Sequence, residues 1–168
     1  MTATHATPSE LDQRLSFNVD GNQYLTFSIG GEVYGVEILR VQEIKGYGTV
    51  TPVPNAPTFV RGVMNLRGTI VPVIDLRQRL GLARADANRF TVIIVVNVND
   101  RVSGLIVDSV SDVLTIPADS IQPPPELGTH LESSFVRGMA KVGERLAILL
   151  DAERLLRFDD GIKSADAS

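Results

Sequence analysis

The chain has 168 residues, which is the size of one ordinary domain or of two very small units that share a core. Its 16 basic and 20 acidic residues give a net charge of −4 and aromatic residues make up only 5%, so the basic stripe and stacking aromatics of nucleic-acid-binding proteins are missing. Cysteine is absent, which excludes disulfides, thiolate metal sites and cysteine nucleophiles.

Residues 1–20 are polar and lack the charged start and apolar run of a signal peptide, so they are predicted to form a mobile arm. The longest apolar stretch, VIIVV at 92–96, is far shorter than the roughly 20 residues that cross a bilayer. Both observations favour a cytoplasmic protein.

The first half of the remaining chain has the pattern of short strands and turns. YLTFSI and EVYGVEI flank Gly30-Gly31, a pair that tolerates the positive φ angles of a β-hairpin. LRVQEIK predicts a short helical turn followed by an extended piece, and the three prolines of TPVPNAP (51–57) predict an irregular crossing. A second hairpin is predicted around residues 65–68, followed by a short helix that ends near Gly81.

The second half repeats this order. The pattern predicts a hairpin about Asn99-Asp100, a short strand that ends at Pro117, a proline-rich crossing, a hairpin about Gly143-Glu144 and a closing helix. FVRG occurs at 59–62 and again at 135–138, and the 22 ungapped positions that start there share six identities. The chain therefore contains two homologous units of about 60–70 residues, each with about five short strands and a terminal helix.

The repeat predicts the fold class. Five short, strongly bent strands favour a small barrel, because closure removes exposed strand edges. Units this small are marginally stable alone, so the two are expected to pack on a shared hydrophobic core. The predicted class is mainly β, with short helices. We place one domain at 21–158, with subdomains at about 22–84 and 88–158 and a C-terminal tail at 159–168, and leave open whether strands interleave.

The residue types of a catalytic or metal centre do not come together in the sequence. The two histidines are His5, in the predicted arm, and His130, in a loop, so a hydrolytic triad lacks its base. Asp75 and Asp151 occupy equivalent repeat positions, where each is predicted to cap the following helix. Carboxylates do not cluster with histidine at ligand spacings, and the sequence has no phosphate-binding glycine loop. We therefore predict a non-enzymatic protein with no catalytic residue, metal or cofactor.

The two repeats differ in the turn after FVRG. Copy one has NLR at 65–67, whereas copy two has KVG at 141–143. A charged turn tip that keeps the hairpin soluble would explain Arg67, and so would a guanidinium presented to the carboxylate or carbonyl groups of a partner. Glu43, inside an apolar run, fits either a solvated position on an edge strand or a docking edge.

Three stretches resemble one known family. YGVEILRVQEIKGY, FVRGVMNLRGTIVPVIDLR and GLIVDSVSDVL, within about residues 22–158, resemble the CheW family of bacterial chemotaxis coupling proteins. The resemblance implies two five-stranded SH3-like β-barrel subdomains. It also implies an adaptor that joins methyl-accepting chemoreceptors to the histidine kinase CheA in membrane-associated arrays, with no membrane insertion of its own. The partners would be the regulatory domain of the kinase and the cytoplasmic tip of the receptors.

The resemblance also implies site residues, which we carry over only where the motifs match. Receptor binding is implied for Gly62, Asn65, Arg67, Val92, Gly104, Val110 and Val113. Kinase binding is implied for Val41 and Glu43, and we extend it to the neighbouring Ile44. The division of these residues between the two partners stays open. The alternative function is a ligand-binding or nucleic-acid-binding double β-barrel, since barrel folds host many functions.

Overall fold

The computed structural model describes residues 23–123 and 135–157. These two ranges contain ten strands, namely β1 (Gln23–Ile29), β2 (Glu32–Glu37), β3 (Val41–Gly46), β4 (Val60–Leu66), β5 (Thr69–Asp75), β6 (Val92–Val98), β7 (Arg101–Val107), β8 (Ser109–Thr115), β9 (Val136–Val142) and β10 (Arg145–Leu150). One-turn α-helices at Leu76–Arg79 and Ala152–Leu155 follow β5 and β10, and 3-10 helices occur at Ile38–Arg40 and Ala118–Ser120. The predicted arm, the predicted tail and both histidines lie outside the described residues.

The strands form two five-stranded sheets, which confirms the mainly β class with two packed subdomains. The first barrel has the strand order β8-β1-β2-β10-β9, and the second barrel has the order β3-β6-β7-β5-β4. Strand numbers shifted by five convert one order into the other, as the sequence repeat requires. The strands do interleave. Each barrel takes strands from both halves of the chain, joined by the parallel pairs β2–β10 and β5–β7, so 22–84 and 88–158 are not separate barrels.

Each barrel is closed by a chain segment that crosses the glycine of FVRG. In the second barrel, Thr51 and Val63 exchange two backbone hydrogen bonds of 2.8 Å. A Cβ atom on Gly62 would lie 2.1 Å from the carbonyl oxygen of Thr51, and φ at Gly62 is +150°. In the first barrel, a Cβ on Gly138 would lie 2.4 Å from Ile121 Cγ2 in the equivalent crossing segment. Only glycine fits beneath the crossing, which explains why both repeats contain it.

One apolar cluster joins the two barrels. Leu25 and Phe27 from β1 of the first barrel belong to the same buried cluster as Ile94 and Val96 from β6 of the second, and all four are 0% exposed. Full burial of such a side chain contributes about 1.5–3 kcal/mol relative to exposure. The predicted shared core is therefore present, and it is built mainly from strands that the two halves exchange.

Asp75 and Asp151 cap the one-turn helices, as predicted. The side chain of Asp75 accepts a hydrogen bond from the backbone N–H of Arg77 at 3.1 Å, and that of Asp151 accepts one from Arg154 at 3.2 Å. Asp75 also pairs with Arg61, the arginine of the first FVRG, at 2.5 Å. The caps fix the end of the last strand of each repeat, β5 and β10, against the start of a helix.

Candidate functional site

The two edge strands of the second barrel are tied together by a side-chain ion pair. Glu43 lies in β3 and Arg67 in the turn between β4 and β5, and β3 and β4 are the two ends of that sheet. The Arg67 guanidinium donates to both carboxylate oxygens of Glu43, with an Nη1–Oε1 distance of 3.2 Å. The Arg67 side chain is 66% exposed and that of Glu43 is 19% exposed. The pair therefore lies at the surface, with its arginine facing solvent.

Arg67 adopts an uncommon backbone conformation for its residue type. The turn consists of Arg67 and Gly68, with φ of 51° and 90°, so both residues have the positive φ that a two-residue hairpin turn of this class requires. The other described non-glycine residues with positive φ are Asn55, Asn99 and Asp100, which tolerate this region through their short polar side chains. The second repeat has glycine at the position of Arg67, which carries no such cost.

The side chain of Asn65 stabilises this turn. Its side-chain oxygen accepts a hydrogen bond of 2.8 Å from the backbone N–H of Gly68. The strand β4 continues through Leu66, so the predicted turn at 65–68 is shorter than expected and is centred on Arg67 and Gly68. Asn65 is exposed and thus contributes both to the turn geometry and to the surface around Arg67.

The ion pair shifts the proton affinity of both partners. The hydrogen bond from Arg67, together with its positive charge, holds the pKa of Glu43 below its usual value although burial acts in the opposite direction. The same hydrogen bond raises the pKa of Arg67. Both groups are therefore charged at neutral pH. An exposed pair of this kind adds little to stability, so its geometry matters more than its energy.

The equivalent positions of the first barrel cannot form this pair with each other. The positions that correspond to Glu43 and Arg67 in the repeat are Asp112 and Gly143, and glycine has no side chain to offer. Asp112 Oδ1 instead accepts a hydrogen bond of 2.8 Å from the backbone N–H of Val113. The ion pair thus distinguishes one barrel from the other within an otherwise repeated architecture.

An exposed apolar residue that the sequence does not single out lies four residues before Glu43. Leu39, in the 3-10 helix before β3, is 69% exposed, and Val41, two residues later, is partly exposed. Ile44 is only 3% exposed and belongs to the shared core. A short 3-10 turn between strands has no periodicity that predicts which side chain faces solvent. We call the region formed by Leu39, Val41, Glu43, Asn65 and Arg67 the seam.

The remaining residues with an implied receptor role lie mostly inside the protein. Val92 is 6% exposed and Val110 is 2% exposed, so neither side chain offers a partner much surface. Gly104 is also buried, and a Cβ on it would lie 2.7 Å from Ile93 Cγ2. Gly62 lies beneath the crossing segment described above, and Val113 is half-buried against the core.

Of the ten implied residues, the structure joins Glu43 and Arg67 directly and bonds Asn65 to the turn that carries Arg67, while Val41 is partly exposed in β3 and packs against the shared core. The other six do not join them as exposed side chains, since Ile44, Gly62, Val92, Gly104 and Val110 are buried and Val113 is half-buried in β8 of the first barrel. Ile44 and Val110 belong to the shared core, Val92 lies in a strand that is buried on both faces, and the two glycines lie against atoms of neighbouring residues. Any effect of these residues on binding has to act through packing.

A second charged cluster lines a small cleft beside the Leu76–Arg79 helix. Arg61 pairs with Asp75 at 2.5 Å, and Arg77 pairs with Asp108 at 2.8 Å. Burial raises the pKa of Asp108, but its hydrogen bonds to Arg77 and to a backbone N–H outweigh this and leave the pKa below its usual value. These charges are bonded to one another, which gives no support to the alternative of a ligand-binding module.

In residues 23–123 and 135–157, no group of three or more histidine, cysteine or carboxylate side chains is placed to hold a metal ion. Within the same part of the chain, every helix is too short or too polar to cross a membrane.

Known proteins share the sequence pattern and the fold of this chain. The family model of the CheW-like domain matches residues 23–160. The chain belongs to the CheW family. It is 44% identical to the chemotaxis protein CheW of Klebsiella aerogenes over 147 residues, which cover 88% of this chain and 89% of the relative. It is 41% identical over 140 residues to the probable chemotaxis protein CheW of Rhizobium etli, with 83% and 90% covered.

A solved structure agrees with this assignment. The crystal structure of the scaffolding protein TtCheW from Thermoanaerobacter tengcongensis superposes with a TM-score of 0.77 at 34% identity, covering 85% of this chain and 92% of that one. CheW proteins are non-enzymatic adaptors of chemotaxis signalling. The present chain is therefore a chemotaxis adaptor and not an enzyme, in agreement with the sequence prediction.

Proposed function

We propose that this CheW-family adaptor couples methyl-accepting chemoreceptors to the histidine kinase CheA, and that the seam is its principal contact surface. One observation carries the proposal. The second barrel keeps an arginine in a backbone conformation that favours glycine, pairs it with Glu43 and leaves it 66% exposed, whereas the first barrel has glycine at the same position. Stability alone would favour glycine at both positions, so the side chain of Arg67 is expected to serve a partner.

Arg67 is suited to the receptor side of this task. A guanidinium carries five N–H donors, and the bidentate bond to Glu43 uses two of them. Glu43 therefore orients the planar group while further donors can bond to carboxylate or carbonyl groups of a partner. A helical hairpin at the receptor tip would lie with its apolar face on the adaptor, and Arg67 would fix its register.

Leu39 and Val41 are suited to the kinase side. Val41 begins edge strand β3 and Leu39 lies in the 3-10 turn before it, where an exposed apolar side chain can be buried by a second barrel. The resemblance implies a kinase regulatory domain of the same double-barrel build, which would dock end to end on β3. Heterologous contacts of this kind can close into rings. Each contact would be on the order of micromolar, or about 8 kcal/mol, with avidity in the array adding to it.

Charge reversal tests the proposal. Arg67→Glu is expected to abolish capture of the protein by receptor-bearing membranes, because it removes the donors and repels Glu43. The double variant Glu43→Arg with Arg67→Glu restores the ion pair in reverse and separates the two roles. If Arg67 bonds the receptor directly, the double variant stays defective. Recovery of wild-type capture by the double variant would show that only the intramolecular pair matters and would contradict direct contact.

The matched control is Lys141→Glu. Lys141 is exposed and occupies in the first barrel the repeat position of Asn65. Lys141→Glu changes the net charge by the same amount as Arg67→Glu, but on the other barrel. Receptor capture by Lys141→Glu is expected to equal that of wild type, and an equal loss in both variants would point to net charge and not to the seam.

A further inference from the structure

One arginine contacts the equivalent phenylalanines of both repeats. The guanidinium carbon of Arg79 lies 4.5 Å from the ring centroid of Phe59 and 4.5 Å from that of Phe135. These rings are the first residues of the two FVRG copies. Arginine over an aromatic face is attracted by the ring quadrupole, more strongly when it is partly desolvated, as Arg79 is here.

Each of the two rings is anchored to a different barrel. The carbonyl of Phe59 accepts a hydrogen bond of 2.7 Å from the backbone N–H of Asp75, at the end of β5 in the second barrel. The carbonyl of Phe135 accepts one of 2.8 Å from Asp151, just after β10 in the first barrel. A side chain that contacts both rings therefore spans the joint between the barrels.

Arg79 also bonds across the joint to the backbone. Its Nε donates to the carbonyl oxygen of Leu155 at 2.8 Å, and Nη2 lies 3.5 Å from the carbonyl oxygen of Arg157. Leu155 is the last residue of the Ala152–Leu155 helix and Arg157 follows its C-cap, so Arg79 bonds to carbonyl groups at and just beyond the end of this helix. The helix that ends the first repeat therefore places the side chain of its last arginine against the helix that ends the second repeat.

The repeat itself explains why only one arginine is present. In the ungapped alignment of the two FVRG segments, the position of Arg79 corresponds to Leu155, which is 1% exposed. Two guanidiniums directed at the same pair of rings would repel one another at short range. A contact shared by both repeats has to be made by one of them, so the sequences must differ at this position.

We infer that Arg79 is a positioning residue that fixes the relative orientation of the two barrels, and that a receptor contacting both barrels requires this orientation. The second half of this statement rests on the proposed function. Arg67 lies on the second barrel, whereas Val113 lies in β8 of the first, so the residues implied in receptor binding span the joint. Val41 and Glu43, for which the resemblance implies kinase binding, both lie in β3 of the second barrel.

The experiment compares Arg79→Met with Arg89→Met. The guanidinium carbon of Arg89 lies 5.0 Å from the ring centroid of Phe90. These two residues are neighbours in the chain, so their contact does not connect the two barrels. The chain has no cysteine, so spin labels can be attached to cysteines introduced at Asn97 in β6 and Lys141 in β9, both exposed. Double electron–electron resonance then measures the distribution of distances between the two labels, and hence between the barrels, without any partner.

Arg79→Met is expected to broaden this distribution, to weaken receptor capture about fivefold or more and to leave binding of the kinase regulatory domain unchanged. Arg89→Met should resemble wild type in all three. Equal losses of receptor and kinase binding would indicate general destabilisation and overturn the inference, as would an unchanged distance distribution. A broadened distribution with normal receptor capture would overturn the link to binding. Failure of the wild-type protein to bind either partner would refute the proposed function, while the distance measurement would still decide the role of Arg79.

Discussion

At the scale of single residues, Arg67 shows a conflict between local stability and surface chemistry. Left-handed backbone is unfavourable for a residue with a Cβ atom, and an exposed ion pair compensates weakly. The second repeat avoids the conflict with Gly143, at φ of 64°. Residues that break a local rule without a gain in stability are the best candidates for function, because the gain must lie in something the isolated fold does not contain.

The exposed Leu39 gives the first prediction at this scale. Leu39→Asp is expected to weaken binding of the kinase regulatory domain about tenfold or more, because an exposed apolar side chain beside the docking edge would be replaced by a charge that must be desolvated. The thermal midpoint should stay close to that of wild type, since Leu39 is 69% exposed. Titration calorimetry with the purified domain measures the affinity.

The control is Leu146→Asp, which places the same charge at a residue of the first barrel that is 52% exposed. It is expected to bind the kinase domain as wild type does. Equal affinities for Leu39→Asp and wild type would remove Leu39 from the docking edge.

At the scale of elements, the crossing segments account for the FVRG glycines. The backbone of Thr51 passes so close to Gly62 that a methyl group there would overlap the carbonyl oxygen. A change at Gly62 therefore has to separate β4 from the segment that closes the second barrel. The implied receptor role of this glycine has a simple alternative explanation, since displacement of β4 would also displace the turn that carries Arg67.

Gly62→Ala is accordingly expected to destabilise the protein by about 3 kcal/mol or more and to lower the thermal midpoint by roughly 6–12 °C. Gly46→Ala is the matched control, because a Cβ at Gly46 would have no heavy atom within 4 Å, apart from its chain neighbours. Thermal unfolding followed by circular dichroism gives both values. A Gly62→Ala protein as stable as Gly46→Ala would contradict the proposed closure of the barrel.

Several of these elements are predictable from local sequence signals. Turn residues such as Gly30-Gly31 and Asn99-Asp100, the two aspartate caps and the period of the repeat are local signals, and the structure confirms them. Strand exchange depends on pairs such as β2–β10, which lie more than 100 residues apart, and no local pattern encodes which strand a given edge will join. The sequence pattern singles out Glu43 and Arg67 one by one, but it does not predict that their side chains pair across 24 residues.

The sequence does not predict which residues of the candidate site are buried and which are exposed. A family resemblance links Val92 and Val110 to binding without saying whether their side chains reach the surface. Period-2 alternation fails as a guide here, because VIIVV at 92–96 is apolar on both faces and all five residues are buried. Leu39 was missed for the opposite reason, since an apolar residue in a short turn looks like core in the sequence and is exposed in the fold.

At the scale of the whole molecule, the two barrels behave as one body. They exchange strands, share the core cluster around Phe27 and Ile94, and are joined again by Arg79. An adaptor built in this way has no reaction to perform. Under the proposed function it would affect signalling by presenting two contact surfaces in a fixed arrangement, so that a change in one partner alters the packing of the other.

The most direct measurement of this account is sedimentation of the kinase with receptor-bearing membranes. The account predicts that the kinase pellets with the membranes to a much greater extent when the wild-type protein is added, that the Arg67→Glu protein fails to bring it down, and that the Lys141→Glu protein succeeds. Kinase sedimentation that does not depend on the protein, or that Arg67→Glu supports as well as wild type, would contradict it.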